Sequence, residues 1–407
     1  VAANLSSRDR ELDLNRVLQV DDQLSLLTSA VVYGANASGK SNLIAALQFM
    51  RRFVIDSSRE SQAEDPIAVE PFRLSEGTTN EPSFFQAVFY TDHKRYRYGF
   101  TVNRERVVAE WLYHVPNARE ARLFERDKEG IHPSPSFKEG RESIVELTRG
   151  NALFLSVVAQ FNGEIAQKII GWFRGLNVSS GLNDRAYRQY TIQNFESNLY
   201  RDEIIDFVKK LDLGIGMIEV EQTESLPVFV RTINAIDMRS PATLVSETKI
   251  RTLHQRYDAE GKPTSWEEFD LDQQESEGTK KLFSFAGPII DTLRNGKILI
   301  VDELDARIHP LITRAIIDLF NSNETNPRHG QLIFTTHDTN LLSNKIFRRD
   351  QIWFTEKDRK GNSHLYSLAE FKVRNDASFE KDYIAGRYGA IPFIGNLSQI
   401  AVEEGNE

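Results

Sequence analysis

The sequence predicts an α/β fold: a mixed sheet carrying a glycine-rich loop, an antiparallel β-meander subdomain, and an inserted, mainly helical subdomain. Three observations carry this expectation. Residues 28–54 run from the apolar TSAVVY through YGANASGKSN into SNLIAALQFMRRFV, whose apolar side chains recur at helical spacing. Residues 83–115 change to aromatic and β-branched runs, FFQAVFY, RYRYGFTV and RVVAEWLYHV, broken by TDHK and NRER. From 276 the pattern returns to alternating helix and strand: helix 277–294, strand 297–303, helix 309–322 and strand 331–337.

Between these segments the pattern is less regular. Residues 118–150 read as polar and loop-rich, with HPSPSF as a breaker, and NALFLSVVAQFN at 151–162 is an apolar stretch ending at Gln160. Residues 163–215 read as mainly helical and 216–260 as mixed with strands; from 361 short mixed elements lead to the acidic VEEGNE. No heptad seam lasts three repeats, so no long coiled coil is expected. The expected division is an N-terminal lobe at 1–162, an inserted subdomain at 163–270 and a C-terminal lobe at 271–407. The chain begins at Val1, and glycine loops of this kind usually follow one or two strands, so a further short N-terminal strand is expected ahead of it.

Composition narrows the class. The 407 residues suffice for two or three domains with a buried core. No apolar run approaches the roughly eighteen residues that cross a bilayer, and no signal peptide is visible. The absence of cysteine removes disulfides, thiolate metal sites and cysteine nucleophiles, and fits a reducing, cytoplasmic setting. A net charge of −9 means that the surface as a whole is not built to wrap nucleic acid, although a local basic groove stays open. Lys94, Arg95, Arg97, Arg104 and Arg106 of the meander read as a solvated outer face, with DNA contact as the alternative.

The chemistry concentrates in a few short stretches. Gly34-x-x-x-x-Gly39-Lys40-Ser41 is a phosphate-binding frame, so Gly34, Ala35, Asn36, Ala37, Ser38, Gly39, Lys40, Ser41 and Asn42 form the expected nucleotide site. Glycines let backbone N–H groups close around phosphate oxygens, and the following helix adds its dipole. Lys40 reaches the outer phosphates and the Ser41 hydroxyl ligates Mg²⁺, which makes ATP and Mg²⁺ the expected cofactors. KILIVDELD at 297–305 is an apolar strand ending in two acids: Asp302 to hold Mg²⁺ through water, Glu303 to polarise the attacking water as general base. Two adjacent acids argue for hydrolysis rather than binding alone. QLIFTTHD at 331–338 is a second apolar strand, ending in Thr335, Thr336 and His337, with His337 lying 35 residues after Asp302. ESEGTKKL at 275–282 places Ser276 and Gly278 ahead of a helix, and Gln160 ends its own apolar stretch.

The order of phosphate loop, Gln, Ser-x-Gly, acidic strand and His is that of ATP-binding-cassette ATPases; GTPases, kinases and RecA-like helicases lack it. GANASGKSN, NALFLSVVAQFN, ESEGTKKLF, ILIVDELDARIHPLI and FTTHDTNLL together resemble prokaryotic ABC-type, AAA-like ATPases of the abortive-infection and overcoming-lysogenization-defect kind. These are relatives of the RecF and structural-maintenance-of-chromosomes ATPases. The resemblance implies a P-loop NTPase fold of ABC type and ATPase activity, with His337 at the γ-phosphate and Gln160 as a Q-loop sensor of Mg²⁺ and γ-phosphate. It further implies Ser276 and Gly278 as a signature loop acting in trans on ATP held by a second subunit, and hence a homodimer or larger homo-oligomer. Such ATPases serve antiphage defence beside a separate effector, commonly a Toprim-type nuclease. Only 70 residues follow His337, too few for a fused Toprim domain, so the effector would be another polypeptide. LDARIHP departs from the usual Ser/Thr-x-Leu-Asp after the acids and leaves Asp305 and His309 without a family role. The alternatives are a DNA-repair or chromosome-type ATPase acting directly on DNA, and a nucleotide-dependent scaffold with little turnover.

Overall fold

The computed structural model describes residues 3, 13–21, 24–59, 62, 64–116, 119–180, 185–211, 214–223, 247–374 and 377–392. The acidic C-terminal stretch and residues 224–246 of the strand-bearing region lie outside the described residues. The chain divides into two compact units: Val1–Val178 with Gly296–Leu304 and Ile317–Glu407, and Ser179–Asn295 with Asp305–Ile316. Residues 163–178, expected in the insert, therefore belong to the first unit. Residues 271–295, expected in the C-terminal lobe, belong to the second.

The first unit is built on a six-stranded mixed sheet in the order Ser363–Ser367, Ile352–Lys357, Ser29–Gly34, Gln331–Thr335, Ile298–Asp302, Leu176–Ser180. Every residue of Ser29–Gly34 is buried, as a strand covered on both faces requires. Gln331–Thr335 pairs in parallel with Ser29–Gly34 on one side and with Ile298–Asp302 on the other. Ile352–Lys357 pairs in parallel with the free side of Ser29–Gly34, and Ser363–Ser367 closes the edge antiparallel to it. The helix Lys40–Asp56 follows the glycine loop and buries Ile44, Met50 and Val54.

Met50 and Val54 join a core with the β-meander. The meander extends beyond the three expected strands: after Ser83–Thr91, Lys94–Val102 and Val107–Val115 come Ala121–Arg126 and Ile131–Pro133, all antiparallel in chain order. The expected loop at 118–150 thus holds two strands. Tyr98, Phe100, Leu112 and Phe124 point inward with no exposed surface. Arg97 bonds Glu120 at 2.8 Å and lies 4.2 Å over the Tyr113 ring, and Arg104 bonds Glu70 at 2.9 Å, so these two of the five basic side chains are paired within the chain. The apolar stretch before Gln160 is a helix, Phe154–Gln160. Its first amides, of Phe154 and Leu155, donate to the buried Glu110 carboxylate at 2.7 and 3.1 Å, and Tyr98 adds its hydroxyl at 2.8 Å. Burial pushes the Glu110 carboxyl up, against the pull of the Arg126 charge and the donated hydrogen bonds.

The second unit, expected as mainly helical, pairs the helices Arg185–Glu196, Arg201–Lys210 and Glu277–Asn295 with a three-stranded antiparallel sheet, Ile215–Thr223, Glu247–Tyr257 and Pro263–Asp270. Phe195, Ile204, Val208, Ile218, Ile250, Phe283 and Ala286 form its core. Pro288 inside Glu277–Asn295 has no N–H to offer the Ser284 carbonyl. The Thr191 hydroxyl takes that role, donating to Ser284 O at 2.8 Å and accepting from Gly287 N at 3.1 Å. Gly287 permits this approach, since a Cβ there would lie 2.6 Å from Thr191 Oγ1. Among the described residues no helix is long and apolar enough to cross a membrane.

Thr191→Val keeps the shape but strands the buried Ser284 carbonyl and removes an acceptor from Gly287 N. The expected loss is about 1–3 kcal/mol, read as a lower denaturant midpoint with an unchanged slope. A midpoint equal to that of the wild type would show that the proline-bearing helix does not depend on this hydroxyl.

Candidate nucleotide site

The strand Ser29–Gly34 delivers the chain into a loop whose conformation is set by its neighbours. Ala37 and Gly39 have φ of 61° and 114°, in the left-handed region. A Cβ on Gly34 would sit 2.4 Å from Thr355 Oγ1, and one on Gly39 would sit 2.3 Å from Ser363 Oγ. Both glycines are therefore required by close approach to the two strands beyond. Ser38 is buried and its hydroxyl meets Thr355 Oγ1 at 2.7 Å. Lys40 is buried, and its ammonium donates to the Gly34 and Ala35 carbonyls at 2.8 and 3.2 Å. No side chain caps the helix that begins at Lys40, and its first turn holds no acid. Its opening amides have no acceptor within the helix, and they add to the dipole at that end. Asn36, Ala37, Ser41 and Asn42 are exposed around it. The loop has the features of a phosphate cradle, and Ser41 and Asp302 would be the residues to hold a phosphate-bound Mg²⁺. Among the described residues no cluster of three or more His, Asp or Glu could hold a metal by side chains alone; a phosphate-bound Mg²⁺ needs only one or two protein ligands.

The two acids stand at the end of Ile298–Asp302. The Thr335 hydroxyl, on the adjacent strand, donates to Asp302 Oδ1 at 2.6 Å and accepts from Glu303 N at 2.8 Å. Glu303 itself has a φ of 55°, a conformation that costs a side-chain-bearing residue and clusters at functional sites. His337 is exposed just past the same strand. Its neighbours are pinned to the phosphate-loop strand: Thr336 N donates to Val32 O at 3.3 Å, and the Tyr33 hydroxyl donates to Asp338 O at 3.1 Å. Lys40, Asp302, Glu303 and His337 thus all issue from one end of one sheet.

Gln160 does not join them. It is the last residue of a helix and lines a cavity of about 510 Å³ with Ile55, Ser58 and Arg59, past the far end of Lys40–Asp56. That helix has 17 residues, so its two ends lie roughly 25 Å apart at 1.5 Å per residue. The strand beside Ile298–Asp302 at the sheet edge is instead Leu176–Ser180. Ser276 and Gly278 lie in the second unit. The Ser276 hydroxyl accepts from Thr279 N at 3.1 Å and so caps Glu277–Asn295. A Cβ on Gly278 would sit 2.9 Å from Arg307 O. Buried Lys281 donates to Ala306 O at 2.6 Å, and Arg307 pairs with Glu277 at 3.1 Å. The segment that follows the acids is thereby tied to the helix Glu277–Asn295. His309 uses its Nδ1 to accept from Leu311 N at 3.2 Å, at the start of Pro310–Phe320. The sequence pattern named Thr335 without giving it a role and did not point to Thr355 or Ser363. Only a polar residue closing an apolar strand marked the first.

A mixed sheet whose parallel strands carry a phosphate loop, two acids and a histidine at one end, joined to an antiparallel meander, defines a P-loop ATPase domain. The chain belongs to the family described as "AAA domain, putative AbiEii toxin, Type IV TA system", whose sequence pattern matches residues 29–343, more than half of its length. No curated protein matches it. Among solved structures it is similar to the SMC head domain from Thermotoga maritima, at 14% identity and a TM-score of 0.37, over 85% of this chain and 90% of that one. It is also similar to an Smc head domain with an extended coiled coil bound to the C-terminal domain of ScpA, derived from Pyrococcus furiosus. That match has 13% identity and a TM-score of 0.31, over 88% and 92% of the two chains.

Lys40→Ala removes the cation and is expected to weaken ATP binding by roughly 3 kcal/mol or more, the order for charge-assisted contacts in a phosphate site. Titration with a fluorescent ATP analogue measures it. An affinity equal to the wild type would remove this loop from nucleotide binding.

Proposed function

We propose that the chain binds ATP with Mg²⁺ and hydrolyses it, and that it acts as the regulatory subunit of an antiphage, abortive-infection-type system controlling a separate effector such as a Toprim-type nuclease. The observation that supports hydrolysis best is the pair of acids braced by Thr335 beside the phosphate loop. The loop amides and Lys40 bind the phosphates, and Ser41 and Asp302 hold the metal. Mg²⁺ held by these residues would supply charge neutralisation for the transferring phosphoryl group. Glu303 takes the proton of the attacking water, and His337 would contact the γ-phosphate. The family description, with its putative toxin of a Type IV TA system, supports a chain that works in a paired system rather than in isolation.

The signature loop gives the reading its second half. Ser276 and Gly278 belong to a different unit from the phosphate loop, and in this proposal they complete the site of a second subunit. A two-fold arrangement satisfies both sites with one repeated interface. Hydrolysis then removes the γ-phosphate contacts and loosens the pair, which carries the nucleotide state to the effector.

Glu303→Gln is expected to bind ATP normally and to turn over at least about a hundredfold more slowly, the range for loss of a general base; steady-state phosphate release measures this. A near-wild-type rate would place the base elsewhere and favour a scaffold with little turnover.

Mixing tests the shared site. Lys40→Ala and Ser276→Asp subunits, each inactive alone, are expected to regain part of the activity together, because each mixed dimer rebuilds one intact site. The aspartate keeps the helix cap but repels phosphate. No recovery in demonstrated mixed dimers, or full activity in Ser276→Asp alone, would count against the trans arrangement.

A further inference from the structure

The geometry points to Thr335 as a positioning residue for both catalytic acids at once, a role that rests on the ATPase reading of this site. Its place follows from sheet order. Thr335 is the last residue of the strand inserted between the phosphate-loop strand and the acidic strand. Its backbone pairs with Val32, while Phe334 before it pairs with Val301. It is completely buried. A buried strand position favours a β-branched side chain, and valine would fill this one equally well. Packing therefore does not account for the hydroxyl.

The hydrogen bonds do. An amide N–H can only donate, so Glu303 N, at 2.8 Å, occupies a lone pair of the Thr335 oxygen. The hydroxyl proton is then directed to Asp302 Oδ1 at 2.6 Å. That bond fixes one carboxylate oxygen of Asp302 and leaves Oδ2 for the metal and its waters. The next amide, Leu304 N, donates to the carbonyl of the same threonine at 3.1 Å. Two successive backbone donors thus end on one residue. They hold the turn in which Glu303 takes its left-handed φ of 55°. One hydroxyl sets the rotamer of the metal-holding acid and the backbone of the general base. Neither acid has to find its position when the nucleotide arrives.

The test compares Thr335→Val, which keeps the shape without the hydroxyl, with Thr335→Ser, which keeps the hydroxyl without the methyl. Binding of a fluorescent ATP analogue is titrated with Mg²⁺ and, separately, in excess EDTA; phosphate release and thermal unfolding are measured in parallel. Thr335→Val is expected to bind the analogue in EDTA like the wild type. It should need at least about tenfold more Mg²⁺ for half-maximal tightening, equivalent to about 1.4 kcal/mol, and hydrolyse at least tenfold more slowly. Thr335→Ser should restore both. Unchanged Mg²⁺ dependence in Thr335→Val overturns the proposal. So does a Thr335→Ser protein as defective as Thr335→Val, which would make methyl packing the cause. If the valine protein does not fold, Thr335→Ala against Thr335→Ser makes the same comparison. A wild-type chain without Mg²⁺-dependent binding would defeat the ATPase reading itself, whereas normal wild-type binding with an indifferent valine variant removes only the role of Thr335.

Discussion

The parallel insertion of Gln331–Thr335 between Ser29–Gly34 and Ile298–Asp302 is the constraint on which the site depends. Parallel strands end at the same edge, so the loops that leave them converge without further instruction. The phosphate loop, the two acids and the histidine lie on the loops that leave these three strands at that end. Register matters as much as order: a slip of one residue would turn Thr335 away from Asp302 and bring a different face of the strand into the core. The interior holds the register in place, since Val31, Leu299, Val301, Leu332 and Phe334 have no accessible surface.

The opposite edge of the same sheet is fastened by buried polar side chains. Asn321 Oδ1 accepts from the hydroxyls of Thr28 and Ser29 at 2.7 and 2.8 Å, and Gln351 Nε2 donates to Ser29 O at 3.1 Å and Ser29 Oγ at 2.8 Å. Gln331 Nε2 donates to Leu27 O, and the fully buried Arg348 pairs with Asp350 at 2.8 Å. Each such bond contributes only about 1 kcal/mol net, but breaking one leaves a buried group unsatisfied at about 1–3 kcal/mol. The sheet is thus closed by its own side chains at one end. At the other, the uncapped start of Lys40–Asp56 and the exposed Ser41 stay open to a ligand. Lys40 is the exception there, since its ammonium sits on the Gly34 and Ala35 carbonyls. A phosphate arriving at the loop meets a cation already held in place by the loop backbone, so little ordering remains to be done on binding.

What was legible in the sequence follows from range. The strand, glycine loop and helix at 28–56, and the strands before Asp302 and His337, are local patterns, and the structure places them within a few residues of expectation. Gln160 illustrates the opposite case. The run before it is apolar at every position from Leu153 to Leu155 and again at Val157 and Val158, which fits a buried strand or a buried helix equally. The deciding partner is Glu110, more than forty residues earlier, whose carboxylate receives the first amides of the helix. The strand Ala121–Arg126 was hidden by a register shift opposite Leu112 and Tyr113, which lets the adjacent Leu123 and Phe124 both become buried and destroys the alternation. Thr335 was visible as a residue, but its role needs the order of the strands, which no local pattern carries.

The Ser-x-Gly loop at Ser276 and Gly278 has two physical readings, and they are compatible. As a cap, the Ser276 oxygen accepts from Thr279 N, and Thr279 Oγ1 lies 2.9 Å from the same oxygen. A hydroxyl has two acceptor sites and one proton. Capping uses an acceptor site, and if Thr279 Oγ1 is the donor in the second contact, the Ser276 proton is available to a phosphate oxygen. The Gly278 amide lies in the first turn, where helix geometry supplies no acceptor. Glycine there is required by the Arg307 carbonyl whether or not a nucleotide is ever bound. Structural need and phosphate recognition thus select the same two residue types. This is why Ser-x-Gly alone says little in a sequence, and why its meaning rests on charge: a cap tolerates an acid at Ser276, a γ-phosphate does not.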